Sequence, residues 1–255
     1  MRALLIGGGR MGRKYLQKLI SMGIDTSLCD IDTSKKIDGI RFFSSVDDAL
    51  EETFEIAFVA IDPSMHVEIS SKLLSQGIYV LLEKPPATSL DEFLKISNHE
   101  NLRISEIESF TMCASLLKEP KTSLDIYRFG KLKGYLSPLY DLAWHDLYLL
   151  QRFEDISLNA LSRKGNIWRV YGFIKDVEFS LCVAWEHPSP MRVWRIDSDL
   201  TFDFSQDKVF KSGQVISEGS WDRLERMIKA FIEGKLERDS VQRALKNFQL
   251  IESLS

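Results

Sequence analysis

A lysine that directly follows an apolar run is one residue of this sequence whose position suits proton transfer or hydrogen bonding to a ligand. Residues 79–82 read Tyr-Val-Leu-Leu and stop at Glu83-Lys84-Pro85-Pro86, which predicts a buried strand ending in a charged pair. Ligands of open α/β sheets bind at the carboxyl ends of the strands. A lysine there can hydrogen-bond a hydroxyl and, when partly buried, shuttle a proton. We therefore predict a chemical role for Lys84, the alternative being an ion pair with Glu83.

A glycine motif near the N-terminus is the second such feature. The apolar run 3–6 is followed at once by Gly-Gly-Gly-Arg-Met-Gly, which reads as G-x-G-x-x-G with Gly7, Gly9 and Gly12 in the three places. Residues 13–22 have the spacing of a helix. Strand, glycine turn and helix together form the fingerprint of dinucleotide binding, in which the helix N-terminus faces the phosphates. The motif predicts a nucleotide site.

An acidic residue at the end of the second predicted strand indicates which dinucleotide would bind. Asp30 lies 18 residues after Gly12, close to the spacing expected of the residue that binds a ribose 2′-hydroxyl. A carboxylate there repels a 2′-phosphate, so we predict NAD rather than NADP. Asp32 is a competing candidate for this role, and Lys35 or Lys36 turned toward the ribose would admit NADP.

Composition excludes several other classes of protein. The 255 residues carry a net charge of −4 without a basic block, which gives no support for binding to nucleic acid or membrane surfaces. The longest apolar runs are strand-length and too short to span a bilayer. Three scattered cysteines suggest neither a metal site nor a disulfide framework. We expect a cytoplasmic protein without a signal peptide or a metal.

The pattern of elements divides the chain into two predicted domains. Residues 1–110 alternate strands and helices, which predicts a doubly wound parallel α/β sheet of the Rossmann type. Residues 111–255 hold a helix over 139–153, several consecutive strands and two closing helices. This order predicts an α+β domain with a mostly antiparallel, open-faced sheet. The predicted strands of the first domain are 2–6, 26–30, 56–61, 78–82 and 102–107, and its helices are 11–22, 46–51, 64–75 and 89–97.

Together, the glycine motif and the Glu83-Lys84-Pro85 segment resemble the Gfo/Idh/MocA oxidoreductase family, which includes glucose–fructose oxidoreductase and inositol dehydrogenase. The segment 60–66, Ala-Ile-Asp-Pro-Ser-Met-His, is similar to the family's Thr-Pro-Asn-x-x-His stretch, with Asp62 and Ser64 as departures. The chain is shorter than most members of the family, with the losses expected between 110 and 140 and in the second sheet. Glu106 and Glu108 stand where the family commonly has an Arg- or Tyr-containing strand, and we interpret both as solvated or structural.

The resemblance implies roles for three residues. Lys84 would contact cofactor and substrate, with a cis peptide bond before Pro85. The family's Asp-x-x-x-His pattern falls on Asp141 and His145, which lie one helical turn apart and can share a helix face. His145 would act as general base toward a hydroxyl, and Asp141 would orient the substrate or polarise the histidine.

These observations predict an NAD(P)-dependent oxidoreductase acting on a secondary alcohol or ketone of a sugar, polyol or sugar derivative. The alternatives are an inactive cofactor-binding regulatory protein, an imine- or biliverdin-type reductase, and an amino-acid dehydrogenase. By analogy with the family we expect a homodimer or homotetramer formed through the second sheet. For His66, a helix-capping or core role stands beside a place near the cofactor. The predicted catalytic residues are Lys84, Asp141 and His145, and the predicted cofactor-binding residues are Gly7, Gly9, Arg10, Met11, Gly12, Asp30, Ile61, Asp62, Pro63, His66, Glu83 and Lys84.

Overall fold

The computed structural model describes residues 1–134, 136–220 and 222–254. Two compact units form: Met1–Ser105 with Leu224–Leu245, and Glu106–Arg223 with Lys246–Ser255. The single boundary that the sequence predicts, after residue 110, does not anticipate that the chain returns to the first unit near its C-terminus. None of the helices in the described ranges is both long and apolar enough to cross a membrane.

Strands and helices largely alternate in the first hundred residues, and a run of strands then precedes two closing helices. In chain order the strands are β1 (Arg2–Ile6), β2 (Asp25–Cys29), β3 (Phe42–Phe43), β4 (Ile56–Val59), β5 (Tyr79–Leu82), β6 (Leu102–Ile104), β7 (Leu124–Phe129), β8 (Ile156–Lys164), β9 (Ile167–Ile174), β10 (Val177–Ala184), β11 (Met191–Ile196), β12 (Leu200–Asp203), β13 (Lys208–Lys211) and β14 (Gln214–Glu218). The helices are α1 (Arg10–Ser21), α2 (Val46–Ala49), α3 (Pro63–Ser75), α4 (Leu90–Leu94), α5 (Met112–Leu116), α6 (Trp144–Leu150), α7 (Arg223–Ile232) and α8 (Asp239–Glu252).

The first unit contains a six-stranded parallel sheet in the order β3-β2-β1-β4-β5-β6. Its central strands β1 and β4 are almost wholly buried, as continuous apolar runs of a sheet covered on both faces should be. Helix α1 buries Tyr15, Leu16 and Leu19 on one face. Near the C-terminus, Phe231 of α7 packs edge-on against Phe58 of β4, with ring centroids 5.3 Å apart. The predicted doubly wound parallel sheet is confirmed.

The strand order of this sheet determines where a ligand can bind. Successive strands run outward from β1 in one direction to β3 and then return to the other side of β1 as β4. At such a reversal the connections after the two neighbouring strands leave on opposite faces, which opens a crevice at their carboxyl ends. The loops after β1, β4 and β5 therefore meet at one edge of the sheet.

The second unit contains an eight-stranded sheet in the order β14-β13-β12-β11-β7-β10-β9-β8. Its pairs are antiparallel except for β7 with β10. This confirms the predicted mostly antiparallel sheet, although the sequence pattern does not anticipate β7, β13 and β14. A π-helical turn at Leu139–Ala143 leads directly into α6, where the sequence predicts a single helix. Association of copies through this sheet stays a prediction.

Candidate functional site

The glycine loop of the first unit is held in place by two close backbone approaches. Gly7 has φ of +99°, which favours glycine, and its N–H donates to Cys29 O at 2.8 Å. A Cβ on Gly7 would overlap Ala60 O, and one on Gly12 would overlap Gly7 O. Only glycines allow the loop, β4 and α1 to approach this closely.

By contrast, Gly9 leaves open space beside the start of helix α1. A Cβ on Gly9 would meet nothing within 4 Å. Gly9 is also the N-cap of α1 and has no side chain to occupy the N–H groups of the first turn, to which Arg10 and Met11 belong. Uncapped N–H groups and the positive end of a helix dipole suit a pyrophosphate. These residues fit the dinucleotide that the motif predicts.

Asp30 is fixed against this loop by main-chain donors. Its Oδ2 accepts the N–H of Gly8 at 2.6 Å, and its Oδ1 accepts the N–H of Asp32 at 2.8 Å. The Cβ of Lys35 lies so close to Gly8 that a side chain on that glycine would displace it. The ammonium of Lys35 pairs with Asp32 at 3.4 Å. A carboxylate and a tethered lysine therefore flank the loop at the position expected for a ribose.

The loop after β4 is closed by Asp62 and braced by His66. Asp62 caps α3 by accepting from Ser64 N at 2.9 Å, and Pro63 occupies the first turn. His66 is buried, with Nδ1 2.9 Å from Pro85 O and Nε2 3.2 Å from Ile61 O. Burial lowers the pKa of His66 to about 4 despite these two carbonyls. His66 thus joins the loops after β4 and β5, as a core residue would.

The charged pair after β5 is anchored to helix α1. The Tyr15 hydroxyl donates a hydrogen bond to Glu83 Oε1 at 2.6 Å, and burial together with Glu83 raises the pKa of that phenol well above its ordinary value. The Lys84–Pro85 peptide bond is cis, as the resemblance implies. Lys84 is half-buried. The glycine loop, Asp30, the loop after β4 and Lys84 thus share one edge of the sheet.

In the second unit, Asp141 lies in the π-helical turn and is oriented by a tryptophan. Trp185 Nε1 donates to Asp141 Oδ2 at 2.9 Å. The carboxylate fills the place that a side chain at residue 134 would need, so Gly134 permits this packing. The indole donor therefore fixes the direction in which one carboxylate oxygen points.

His145 lies in the first turn of α6 and contacts a buried tyrosine. Its Nδ1 is 3.2 Å from Tyr148 Oη, and the two rings pack edge-on with centroids 5.8 Å apart. Tyr148 is 1% exposed, whereas His145 is half-buried. The imidazole is therefore held at Nδ1 by a buried hydroxyl group.

Around Asp146 of α6 lies a cluster of charged side chains, which we call the arginine cluster: the buried Glu108, Arg128 and Asp146 with the half-buried Arg192 and Arg223. Arg128 donates to both oxygens of Asp146, at 2.6 and 3.0 Å. Glu108 pairs with Arg128 at 3.3 Å, Arg192 at 2.9 Å and Arg223 at 2.7 Å. Burial disfavours the charged carboxylate, but the guanidinium groups outweigh it and lower the pKa of Glu108.

The arginine cluster and its neighbours are what sequence reasoning missed. Of the two interpretations of Glu108, solvated or structural, full burial leaves only the structural one. Trp194 Nε1 also donates to Asp146 Oδ1 at 2.8 Å. The members come from separate segments of the chain, so no local spacing indicates them. Within the described residues, no group of His, Cys, Asp and Glu side chains is arranged to hold a metal ion.

Comparison with known proteins identifies the fold. Residues 1–102 match a family model described as an oxidoreductase family with an NAD-binding Rossmann fold, GFO_IDH_MocA. No curated protein matches the chain at the level of sequence. The predicted nicotinamide dinucleotide cofactor is thereby confirmed for the Rossmann domain of residues 1–102.

Many solved structures resemble the chain over its whole length, and three of them illustrate the range. UDP-N-acetylglucosamine 3-dehydrogenase GnnA from Acidithiobacillus ferrooxidans has a TM-score of 0.82 at 18% identity, covering 100% of this chain and 97% of its own. A mutant of KijD10, a 3-ketoreductase from Actinomadura kijaniata in complex with TDP-benzene and NADP, has a TM-score of 0.82 at 14% identity, covering 100% and 96%. A myo-inositol dehydrogenase from Corynebacterium glutamicum has a TM-score of 0.74 at 13% identity, covering 100% and 96%.

At these low identities the solved structures show only the fold of the chain. The family-model match gives the sequence relationship, and it covers residues 1–102. Residues 1–102 are therefore similar to the NAD-binding Rossmann domain of the Gfo/Idh/MocA oxidoreductase family.

Proposed function

We propose that this oxidoreductase interconverts a secondary alcohol and the corresponding ketone of a sugar, polyol or sugar derivative, with a bound nicotinamide accepting or supplying the hydride. The observation that carries the proposal is the edge of the parallel sheet. There, the glycine loop follows β1 and Lys84 follows β5, with only β4 between those strands. A dinucleotide on the loop and a proton-bearing side chain at the same edge are the minimum for such a reaction.

The proposed roles of three residues follow from their chemistry. The ammonium of Lys84 hydrogen-bonds and polarises the substrate oxygen, which stabilises negative charge as the carbonyl is reduced. His145 exchanges a proton with that oxygen, since an imidazole changes charge near neutral pH. Asp141, whose carboxylate is oriented by Trp185, positions the substrate.

The substrate class is supported by the relatives' names. The three structures are named as a sugar-nucleotide 3-dehydrogenase, a 3-ketoreductase and an inositol dehydrogenase. The substrates in these names share an alcohol or ketone carbon, which can give or take a hydride. We therefore propose polyhydroxylated substrates in preference to imines or amino acids.

For the cofactor we propose NAD over NADP. The carboxylate of Asp30 is held at the loop by two main-chain N–H groups, so its charge cannot swing away from a 2′-phosphate. Lys35, whose side chain lies against Gly8, is tied to Asp32 at 3.4 Å. The local field therefore favours a ribose with a free hydroxyl.

The experiment is a screen of NADH and NADPH oxidation against keto sugars, sugar nucleotides and inosose-type ketones, followed by variants on the best substrate. We expect Lys84→Met and His145→Asn each to lower kcat/KM by about 100-fold or more. The double variant should lose little beyond the worse single one, because groups that act on one step are not additive. His99→Asn is the control and should retain activity.

Two outcomes would overturn the proposal. Full turnover in Lys84→Met or His145→Asn would remove the assigned roles. Tight NADH binding without turnover of any ketone or alcohol would favour the regulatory alternative.

A further inference from the structure

We propose that Tyr148 is a positioning residue for His145: its hydroxyl donates to Nδ1 and holds the neutral imidazole with its proton on Nε2. The inference rests on the proposed function in one respect, namely that His145 acts on the substrate. The geometry that carries it lies wholly within the second unit.

The hydroxyl of Tyr148 lies between a donor and an imidazole nitrogen. Glu108 N–H points at it from 2.9 Å, and His145 Nδ1 lies at 3.2 Å. The backbone N–H can only donate, so it takes up a lone pair of the phenol oxygen. In the proposed arrangement the phenol proton points to the other side, where Nδ1 accepts it.

Tyr148 keeps that proton under all working conditions. Burial, followed by the charge of Glu108, raises the pKa of Tyr148 well above 10. Glu106 acts in the same direction, and Arg128 opposes them. A neutral imidazole that accepts at Nδ1 must carry its hydrogen on Nε2. The contact therefore selects one of the two neutral tautomers.

The arginine cluster keeps the tyrosine in place. Three guanidinium groups hold the Glu108 carboxylate, which is 0% exposed, and this fixes the backbone N–H that donates to Tyr148. Tyr148 itself is 1% exposed and has no room to turn its hydroxyl to solvent. Buried charges thus determine, through one N–H and one hydroxyl, how the imidazole is protonated.

This tautomer changes the role of His145. A base needs a lone pair at the nitrogen facing the substrate, whereas Nε2–H offers a hydrogen-bond donor. A donor suits the oxygen of a ketone, so the resting tautomer hydrogen-bonds the substrate of the reduction direction, and transfer of a proton to that oxygen requires the imidazolium. The base role predicted from the Asp-x-x-x-His pattern would require the other tautomer.

The test is the long-range ¹H–¹⁵N spectrum of the full chain labelled at histidine, recorded without cofactor or substrate where the imidazoles are neutral. His145→Gln assigns the resonance. We expect wild-type His145 to be Nε2–H in a single tautomer, with Nδ1 shifted as an acceptor. In Tyr148→Phe the two nitrogen shifts should move toward each other as the second tautomer becomes populated.

Tyr15→Phe is the matched control, because Tyr15 is equally buried and its hydroxyl also serves a polar side chain. It should leave the His145 shifts unchanged. An Nδ1–H tautomer in the wild type, or unchanged shifts in Tyr148→Phe, would overturn the proposal. If Tyr148→Phe does not fold, the wild-type tautomer alone decides. Because no ligand is present, the result is independent of whether the proposed oxidoreductase reaction is found.

Discussion

The nucleotide edge of the first unit and the α6 region of the second unit are each stabilised internally, by different kinds of interaction. At the nucleotide edge, Asp30 and His66 have main-chain partners: Asp30 accepts from Gly8 and Asp32, and His66 contacts two carbonyls. Under α6 the partners are other charged side chains, as in the arginine cluster. A main-chain partner remains when its residue is substituted, so such contacts survive many substitutions. A buried charge whose partners are side chains loses stabilisation when any one of those partners is replaced.

This difference predicts that the second unit is the more fragile to single substitutions. Removing one partner of a buried ion pair leaves an uncompensated charge. Removing one side chain from the nucleotide edge leaves mostly backbone groups that other donors or water can satisfy. The contrast can be tested by substitutions in both units, beginning with the largest expected effect.

Arg128→Met should lower the free energy of unfolding by about 3–5 kcal/mol, since it strands Asp146 and weakens the hold on Glu108 in a buried site. Denaturant unfolding measures the change. Arg195→Met is the control, because Arg195 is exposed and lies over Tyr127 with 5.4 Å to the ring centroid. Equal losses in the two variants would contradict the contrast.

His66 should give the first unit a dependence on pH. Its pKa is about 4 in the fold and about 6.5 when unfolded. The unfolded chain therefore binds the extra proton first, and stability should fall by about 3 kcal/mol as the pH drops from 6.5 to 4. His66→Gln should remove this component from the urea-unfolding curve, whereas His99→Asn should retain it. If the free energy of unfolding of the wild type changed with pH as that of His66→Gln does, the pH dependence could not be assigned to His66.

Gly12→Ala should destabilise the protein by about 1–3 kcal/mol, because its Cβ would overlap Gly7 O and the helix must move away from the loop. Gly9→Ala places its Cβ in open space and should leave the thermal midpoint close to that of the wild type. Similar midpoints for the two variants would show that the loop is not held by the close approach of Gly12 to Gly7.

Asp30→Asn should change selectivity more than stability. Removing the negative charge beside the loop should shift the ratio of NADP to NAD affinity by about tenfold toward NADP, equivalent to about 1.4 kcal/mol. Titration with both cofactors measures the ratio. Asp25→Asn, a surface change beside Arg2, should leave it unaltered, and an unchanged ratio in Asp30→Asn would count against this residue as the selectivity determinant.

The same contrast explains which features sequence reasoning can recognise. The glycine loop, its strand and its helix are contiguous, and each glycine has a local reason, so residues 1–22 suffice to predict them. The cis bond before Pro85 is implied by the family resemblance of Glu83-Lys84-Pro85 and is present in the structure. By comparison, β3 has only Phe42 and Phe43, too few residues to show a period.

In the second unit, the missed features depend on distant partners. Strand β7 alternates buried and half-buried residues, but one buried position is Arg128. A charge at a core position breaks the hydrophobic pattern, and its burial makes sense only with Asp146 and Glu108 in place. Likewise, Tyr148 reads as one more apolar residue of a helix until Glu108 N–H and His145 are seen beside its hydroxyl.

The most direct test of the account is NADH binding and turnover measured on the same preparations. We predict that the wild type and His145→Asn bind NADH with equal affinity, seen as a rise in nicotinamide fluorescence, while only the wild type oxidises NADH with a ketone substrate. Gly9→Ala should remain folded and lose binding. NADH binding by Gly9→Ala at wild-type affinity, or its loss in His145→Asn, would contradict the division between a unit that holds the cofactor and one that supplies the proton-transfer residue.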